Sequence, residues 1–192
     1  PYWYGPYMPI YFIVSAVVSG IAFILFFTIV TYKITGEEPS GPLKSLLLEL
    51  GKFLGLFIGI VIFFTAWKTI ISLYGHPHLK YEAVIALLKG PLSFNFLTFE
   101  VLIGSLIPFF ILILPKTQTI KKVFVAATLT IIGMFFIRYD LVIAGQIYPV
   151  WGGNYAIYSP NYLEWFIVIA CLGACLLFYT LGVRFLPLKE ER

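Results

Sequence analysis

The sequence predicts an all-α membrane protein, a polytopic bundle with five transmembrane helices. Of the 192 residues, 60% are hydrophobic and only 11% are charged, whereas soluble domains carry about 25% charged residues. Five apolar stretches reach the roughly 20 residues that a helix needs to cross the hydrocarbon core, at residues 10–32, 53–73, 94–114, 123–144 and 162–186. We therefore expect a single transmembrane domain over residues 1–192. This composition excludes a water-soluble enzyme, a disulfide scaffold and a disordered chain.

The basic residues predict how the bundle is oriented in the lipid bilayer. With five spans the chain ends lie on opposite sides, here called side X, which holds Pro1, and side Y, which holds Arg192. Side Y collects nine of the 13 lysines and arginines, so the positive-inside rule places it in the cytoplasm. We therefore expect a multi-pass protein of the cytoplasmic (inner) membrane with Pro1 outside. The scattered basic residues indicate topology signals and exclude a nucleic-acid site.

Aromatic residues and the longer loops both concentrate on side X. All four Trp and eleven of the 13 Tyr fall at that boundary. They form either a thick interfacial collar or a docking surface for a partner protein. The loop at residues 75–93 is expected to contain an interfacial helix over residues 79–89, and the loop at residues 145–161 is expected to cap the bundle.

Ionisable residues inside a span are costly, so each is a candidate functional residue. Glu100 and Arg138 each lie six residues from the side X end of a predicted span, about 9 Å deep at 1.5 Å per residue. This matched depth predicts an ion pair, with Glu164 about one turn shallower. Asp140 is turned roughly 200° from Arg138 and is not expected to share its partner. The pair either ties the helices together or places a carboxylate for proton exchange with a ligand.

Glycine and proline positions predict how the helices pack. Gly51, Gly55 and Gly59 form a stripe of small residues along the second span, which is typical of a close helix–helix contact rather than of chemistry. Pro108 interrupts the third span and should free the carbonyl group of Gly104 and kink the helix. The kink either shapes the bundle or opens a pocket below the carboxylate of that span.

From the histidines and cysteines we expect no haem and no metal in this chain, with one alternative left open for the histidines. His76 and His78 are the only histidines and lie in a loop, so they do not form a bis-histidine haem site within the membrane. They either form a solvated turn or bind metal or relay protons. Cys171 and Cys175 cannot complete a zinc or iron–sulfur site without further ligands, and we expect them to be packing residues.

Several motifs together resemble the C-terminal half of the NrfD/PsrC family, the membrane subunits of polysulfide-reductase-like complexes. They occur in the same order over nearly the whole chain: W-Y-G-P at 3–6, F-E at 99–100, I-P at 107–108, R-Y-D-L-V-I-A-G-Q at 138–146, Y-S-P at 158–160 and L-P at 186–187. The resemblance is closest to the branch that contains HybB and DsrP. It implies that this chain is half of a ten-helix protein.

The resemblance implies a membrane subunit of a quinone-linked oxidoreductase complex in anaerobic respiration and sulfur metabolism, without a redox metal of its own. Such a subunit exchanges electrons and protons between menaquinone and an iron–sulfur ferredoxin-like subunit on the outer face, alongside other membrane and cytochrome subunits. Carried over by motif, the candidate catalytic residues are Glu100, Arg138 and Glu164; candidates for the quinone site or proton path are Asp140, His76, His78, Tyr139 and Gln146. Two alternatives stay open: a structural anchor without a quinone site, and a secondary transporter.

Overall fold

The computed structural model describes residues 8–36, 39, 41–75, 78–114, 119–147 and 161–185, and these residues form helices with short connections and no strand. The helices are α1 (Met8–Thr35), α2 (Gly41–Tyr74), α3 (His78–Leu88), a π-helix π1 (Asn95–Leu106) that continues as α4 (Ile107–Ile113), α5 (Ile120–Ala144) and α6 (Tyr162–Phe185). Five helices are long and apolar enough to cross a membrane, with π1 and α4 counted as one. The predicted all-α, multi-pass fold is confirmed.

Glycines with positive φ lie at the end of α1 and at the start of α2. Gly36 has φ 76° and Gly41 has φ 54°, a left-handed conformation that glycine adopts without a steric penalty and that commonly ends a helix. Helix α2 has 34 residues, about 51 Å at 1.5 Å per residue, so it is longer than the hydrocarbon core requires. It begins 12 residues before the predicted span, and Lys44, Glu49 and Lys52 are exposed on the additional turns.

Contacts divide the chain into two units, Pro1–Ala156 and Ile157–Arg192. The core of the first unit is formed by α1, α2, α4 and α5. Its buried side chains are Tyr11, Val18, Ala22, Leu25, Ile29, Leu47, Leu54, Ile58, Val61, Leu112, Val123, Ala126, Ala127, Met134 and Ile137. The second unit contains α6, a single apolar helix of 24 residues.

Glycines set the closest approaches between helices in the first unit. A Cβ atom on Gly55 would lie 3.1 Å from Cβ of Leu112, and one on Gly59 would lie 2.9 Å from the Phe109 ring, so the predicted contact along the glycine stripe is confirmed. A still closer approach was not predicted from the sequence: the Cα atoms of Gly104 in π1 and Gly133 in α5 pack directly against each other. This contact fixes how π1 lies against α5.

The third span is a π-helix along its first twelve residues, whereas the sequence predicts one α-helix with a kink. The backbone N–H of Ile107 donates to the carbonyl of Leu102, five residues earlier, and the Ser105 hydroxyl donates to the carbonyl of Glu100 at 3.0 Å. Pro108 has no N–H and its ring crowds the preceding turn. The wider turns of π1 accommodate both effects, and such turns occur frequently at functional sites.

The helix predicted within the loop at residues 75–93 is confirmed as α3, and its interfacial position stays a prediction. Its side chains Ala83, Val84, Ala86 and Leu87 are buried in a second apolar cluster, here called the cap cluster. The other buried members of the cap cluster are Met8, Leu92, Phe96, Leu141, Ile143, Ala144 and Ile147. Because these residues lie at the side X ends of α1, π1 and α5, α3 packs across that end of the first unit.

Candidate functional site

Three ionisable side chains from three different helices are buried near the side X end of the first unit. Lys68 of α2 is 5% exposed, Glu100 of π1 is 3% exposed and Asp140 of α5 is 1% exposed. Lys68 lies six residues before the end of α2, Glu100 five residues after the start of π1, and Asp140 four residues before the end of α5. All three therefore lie within two turns of their helix ends, at a similar depth. We call them the buried charged cluster.

Charge interactions connect the three members of the cluster. The Lys68 ammonium group attracts both carboxylates, and the carboxylates of Glu100 and Asp140 repel each other. Lys68 Nζ also lies 5.5 Å from the centroid of the Tyr11 ring, within the range of a cation–π contact. Neither carboxylate oxygen of Asp140 accepts a hydrogen bond within the described part of the chain. Asp140 therefore interacts with its described neighbours through charge.

Helix α3 separates the buried charged cluster from side X. It contacts α2, π1 and α5, which are the three helices that carry the charged residues. Leu141, next to Asp140 in the chain, belongs to the cap cluster together with Val84 and Leu87 of α3. The three charges therefore lie between the apolar core of the bundle and an apolar lid, where water screens them little.

Arg138 does not form the predicted ion pair with Glu100. Its Nη2 donates a hydrogen bond of 2.9 Å to Oγ of Ser15, and its Cζ lies 4.7 Å from the centroid of the Phe12 ring. Both partners belong to α1. The prediction that Arg138 and Asp140 face different partners is confirmed, because Asp140 interacts with Glu100 and Lys68. The predicted pair is wrong because equal depth does not fix the direction in which a side chain points around its helix.

A group of aromatic side chains lies where π1 and α5 are in contact. The rings of Phe99 and Phe136 stack with centroids 4.3 Å apart and planes inclined by 14°. The half-buried Tyr139 lies 6.5 Å from Phe136 and 6.4 Å from Phe135 between ring centroids, and the negative charge of Asp140 acts on its phenol. Tyr139 therefore contacts the aromatic rings and is next to Asp140 of the buried charged cluster in the chain.

The remaining predicted site residues are not members of the buried charged cluster. Glu164 lies in the first turn of α6, where its Oε2 accepts a hydrogen bond of 3.2 Å from the backbone N–H of Asn161, the geometry of a capping box. Gln146 is exposed in the turn after α5. His78 is the first residue of α3, and His76 lies outside the described residues. The relay role of these four residues stays a prediction.

Among the described residues, no group of three or more His, Cys, Asp or Glu side chains is arranged to hold a metal ion. Cys171 and Cys175 are free thiols on exposed positions of α6. The aromatic and polar groups described above can bind a ligand, and the buried carboxyl groups can exchange protons.

Lys68 is a functional candidate that was not predicted from the sequence. It is one of the four lysines and arginines that do not lie on side Y, although it lies inside the predicted span 53–73. The rule that selected Glu100, an ionisable residue several positions inside a span, applies equally to Lys68. The ring of Tyr11 contacts Lys68. Nothing in the sequence marks Tyr11 as a functional residue apart from its position in the apolar first span.

The sequence of the chain is similar to those of several known proteins. The family described as polysulphide reductase, NrfD, matches residues 1–150. The chain is 29% identical to a selenate reductase subunit from Mesobacillus selenatarsenatis, over all of this chain and 46% of that protein. It is 28% identical to the Hdr-like menaquinol oxidoreductase integral membrane subunit of Archaeoglobus fulgidus, over 96% of this chain and 49% of that protein. The chain therefore spans about half the length of the curated relatives it matches. No solved structure matches it.

Proposed function

The chain belongs to the polysulphide reductase, NrfD, family, and from this premise we propose that it is an integral membrane subunit of a respiratory redox complex. It exchanges electrons and protons between menaquinone and an iron–sulfur ferredoxin-like subunit that docks on side X, outside the cytoplasm. One relative is by its name a membrane subunit of a menaquinol oxidoreductase, which supports a quinone as the substrate. Other membrane and cytochrome subunits complete the complex.

The buried charged cluster is the observation that carries this proposal. Ionisable groups inside a membrane are costly and are usually retained for function. Oxidation of a quinol releases two protons with its two electrons, so a carboxylate near the quinone ring is needed to receive them. Glu100 is buried at the end of the bundle where the partner subunit is proposed to dock, in a π-helix, and beside a second carboxylate.

Residues near this end of the bundle carry the chemical groups that a quinone ring requires. Such a ring requires an aromatic or apolar surface and hydrogen-bond donors for its oxygens. Phe99 and Phe136 provide stacked rings, Tyr139 adds a phenol, and Arg138 is held by α1 with its guanidinium group facing Ser15. In the proposed mechanism Arg138 and Tyr139 orient the ring, and Glu100 receives a proton.

Glu164, in the second unit, stays the proposed outward proton relay on side X. It accepts a hydrogen bond from the backbone at the start of α6, so one of its oxygens has a structural role as well. A carboxylate can accept several hydrogen bonds at once, and the two roles are therefore compatible. The capping contact has to be separated from the relay in any test of this residue.

The proposal is tested with Glu100→Gln in the purified complex that contains this chain. We would titrate a fluorescent quinone analogue and measure the menaquinol-dependent reduction of the iron–sulfur partner. Loss of a positioned proton acceptor is expected to lower turnover by at least about tenfold while the complex still assembles. Glu49→Gln is the matched control, because Glu49 is an exposed glutamate on α2 outside the predicted spans.

Normal quinone binding and normal turnover in Glu100→Gln would contradict the proposal. The chain would then act as an anchor for redox subunits, with the quinone site elsewhere in the complex. Loss of assembly together with turnover in Glu100→Gln, but not in Glu49→Gln, would also favour the anchor. Reduced turnover with unchanged assembly and with weaker binding of the analogue would place Glu100 in contact with the quinone.

A further inference from the structure

The buried charged cluster is not balanced in charge when all its members are ionised. Lys68 carries one positive charge, and Glu100 and Asp140 would together carry two negative charges. All three side chains are at least nine-tenths buried, between the core and the cap cluster. An uncompensated charge in such surroundings is strongly unfavourable, so a proton bound to one carboxyl group would stabilise the cluster.

The described charges that act on the two carboxylates do not remove this imbalance. On α5, Arg138 points to Ser15 and Phe12 of α1. Tyr11 of α1 and Tyr139 of α5 are phenols, which add no positive charge. The positive charge that acts on both carboxylates is that of Lys68, whose contact with the Tyr11 ring suits an ammonium ion.

Asp140 shows where a proton would be bound. Its carboxyl group is 1% exposed, and neither oxygen accepts a hydrogen bond from the described residues. An ionised carboxylate is an acceptor only, whereas a protonated carboxyl group is also a donor. Two carboxyl groups that act on each other through charge and cannot both ionise hold one proton between them.

We propose that Glu100 and Asp140 share one exchangeable proton beside the Lys68 ammonium group, so that the cluster is a proton-storage site with no net charge. The proton forms an O–H bond on one carboxyl oxygen, and the second carboxylate balances Lys68. A proton that arrives protonates this second carboxylate, and the cluster then carries one positive charge until a proton leaves. The source of the arriving proton rests on the proposed function, but the stored proton does not.

Infrared difference spectroscopy of the purified complex tests the proposal directly. A protonated carboxyl group has a carbonyl stretch that an ionised carboxylate lacks, and the band shifts in deuterated water. In the wild-type protein we expect one such band from the cluster. It should disappear in Glu100→Gln and equally in Asp140→Asn, because in each variant Lys68 holds the remaining carboxyl group in its ionised form.

Lys68→Met gives the opposite result, because without the ammonium group both carboxyl groups bind a proton. The band should double in intensity, whereas Glu49→Gln should leave it unchanged. A band that survives in either carboxamide variant, or that does not grow in Lys68→Met, would overturn the shared proton. The absence of a deuterium-sensitive band from the wild-type protein would also overturn the shared proton, even if every variant failed to assemble.

The spectroscopic and kinetic results separate the two proposals. Infrared bands that follow this pattern with normal quinol turnover would support proton storage and contradict the role of Glu100 in quinone oxidation. Loss of turnover in Glu100→Gln with an unchanged band would support the role of Glu100 in quinone oxidation and contradict proton storage. Neither result depends on which iron–sulfur partner accepts the electrons.

Discussion

Replacing Gly104 by alanine is expected to force π1 away from α5, because the two helices touch there through backbone atoms. A Cβ atom on Gly104 would overlap with Cα of Gly133, and it would lie 2.8 Å from the Phe99 carbonyl oxygen and 3.2 Å from the Gly133 carbonyl carbon. Carbon atoms in contact are ordinarily about 3.5–4.0 Å apart. Neither partner is a side chain that can rotate away, so the helices themselves have to separate.

The expected cost is at the upper end of the range for overpacking, about 3 kcal/mol. It would be measured as the free energy of unfolding in detergent, by titration with a denaturing detergent and the loss of helical circular dichroism. The separation also moves Glu100, one turn from Gly104, relative to Asp140. We therefore expect the infrared band and the quinol turnover to change in this variant as well.

Two other glycines provide a graded control. Gly20 has no atom within 4 Å of its added Cβ, so Gly20→Ala should leave stability unchanged or raise it by up to about 1 kcal/mol through helix propensity. In Gly59→Ala the added Cβ meets the edge of the Phe109 ring, which can shift. The free energy of unfolding of this variant should therefore lie between those of Gly20→Ala and Gly104→Ala. If the free energies of unfolding of Gly104→Ala and Gly20→Ala differed by less than about 0.5 kcal/mol, the direct backbone contact between π1 and α5 would be refuted.

Two further substitutions test individual contacts. Ser15→Ala removes the oxygen that accepts the hydrogen bond from Arg138 and should lower the free energy of unfolding by about 1–2 kcal/mol; no change would mean that the contact with the Phe12 ring is sufficient. Glu164→Gln keeps an acceptor for the Asn161 N–H, so amide hydrogen exchange in the first turn of α6 should be unchanged. A fall in turnover with unchanged exchange would support the relay, whereas normal turnover would limit Glu164 to capping.

The five spans are predictable because the length of an apolar run is a property of the sequence alone. The π-helix is not predictable in the same way. Pro108 shows that the backbone is disturbed, and a kink at the carbonyl of Gly104 was the expected result. Whether the chain kinks or widens its turns depends on the neighbouring helix, and here the direct contact of Gly104 with Gly133 keeps the axis close to α5 while the turns widen.

The candidate site shows the same limit. Counting residues from the end of a span gives the depth of a side chain, and depth correctly placed Glu100 and Arg138 near one end of the bundle. The direction around the helix axis decides which groups meet, and it depends on how the helices pack. Asp140, two residues from Arg138 and about 200° away, interacts with Glu100, while Arg138 interacts with α1.

Lys68 shows how a short helix outside the spans can create a site inside them. A lysine six residues from a helix end ordinarily extends its side chain to the interface and keeps its ammonium group in water, which is why it resembled a topology signal. Helix α3 packs across that end and contacts α2, π1 and α5. The ammonium group is therefore enclosed beside Glu100 and Asp140. Helix α3 contributes no member of the cluster, but it excludes water and so strengthens the charge interactions within the cluster.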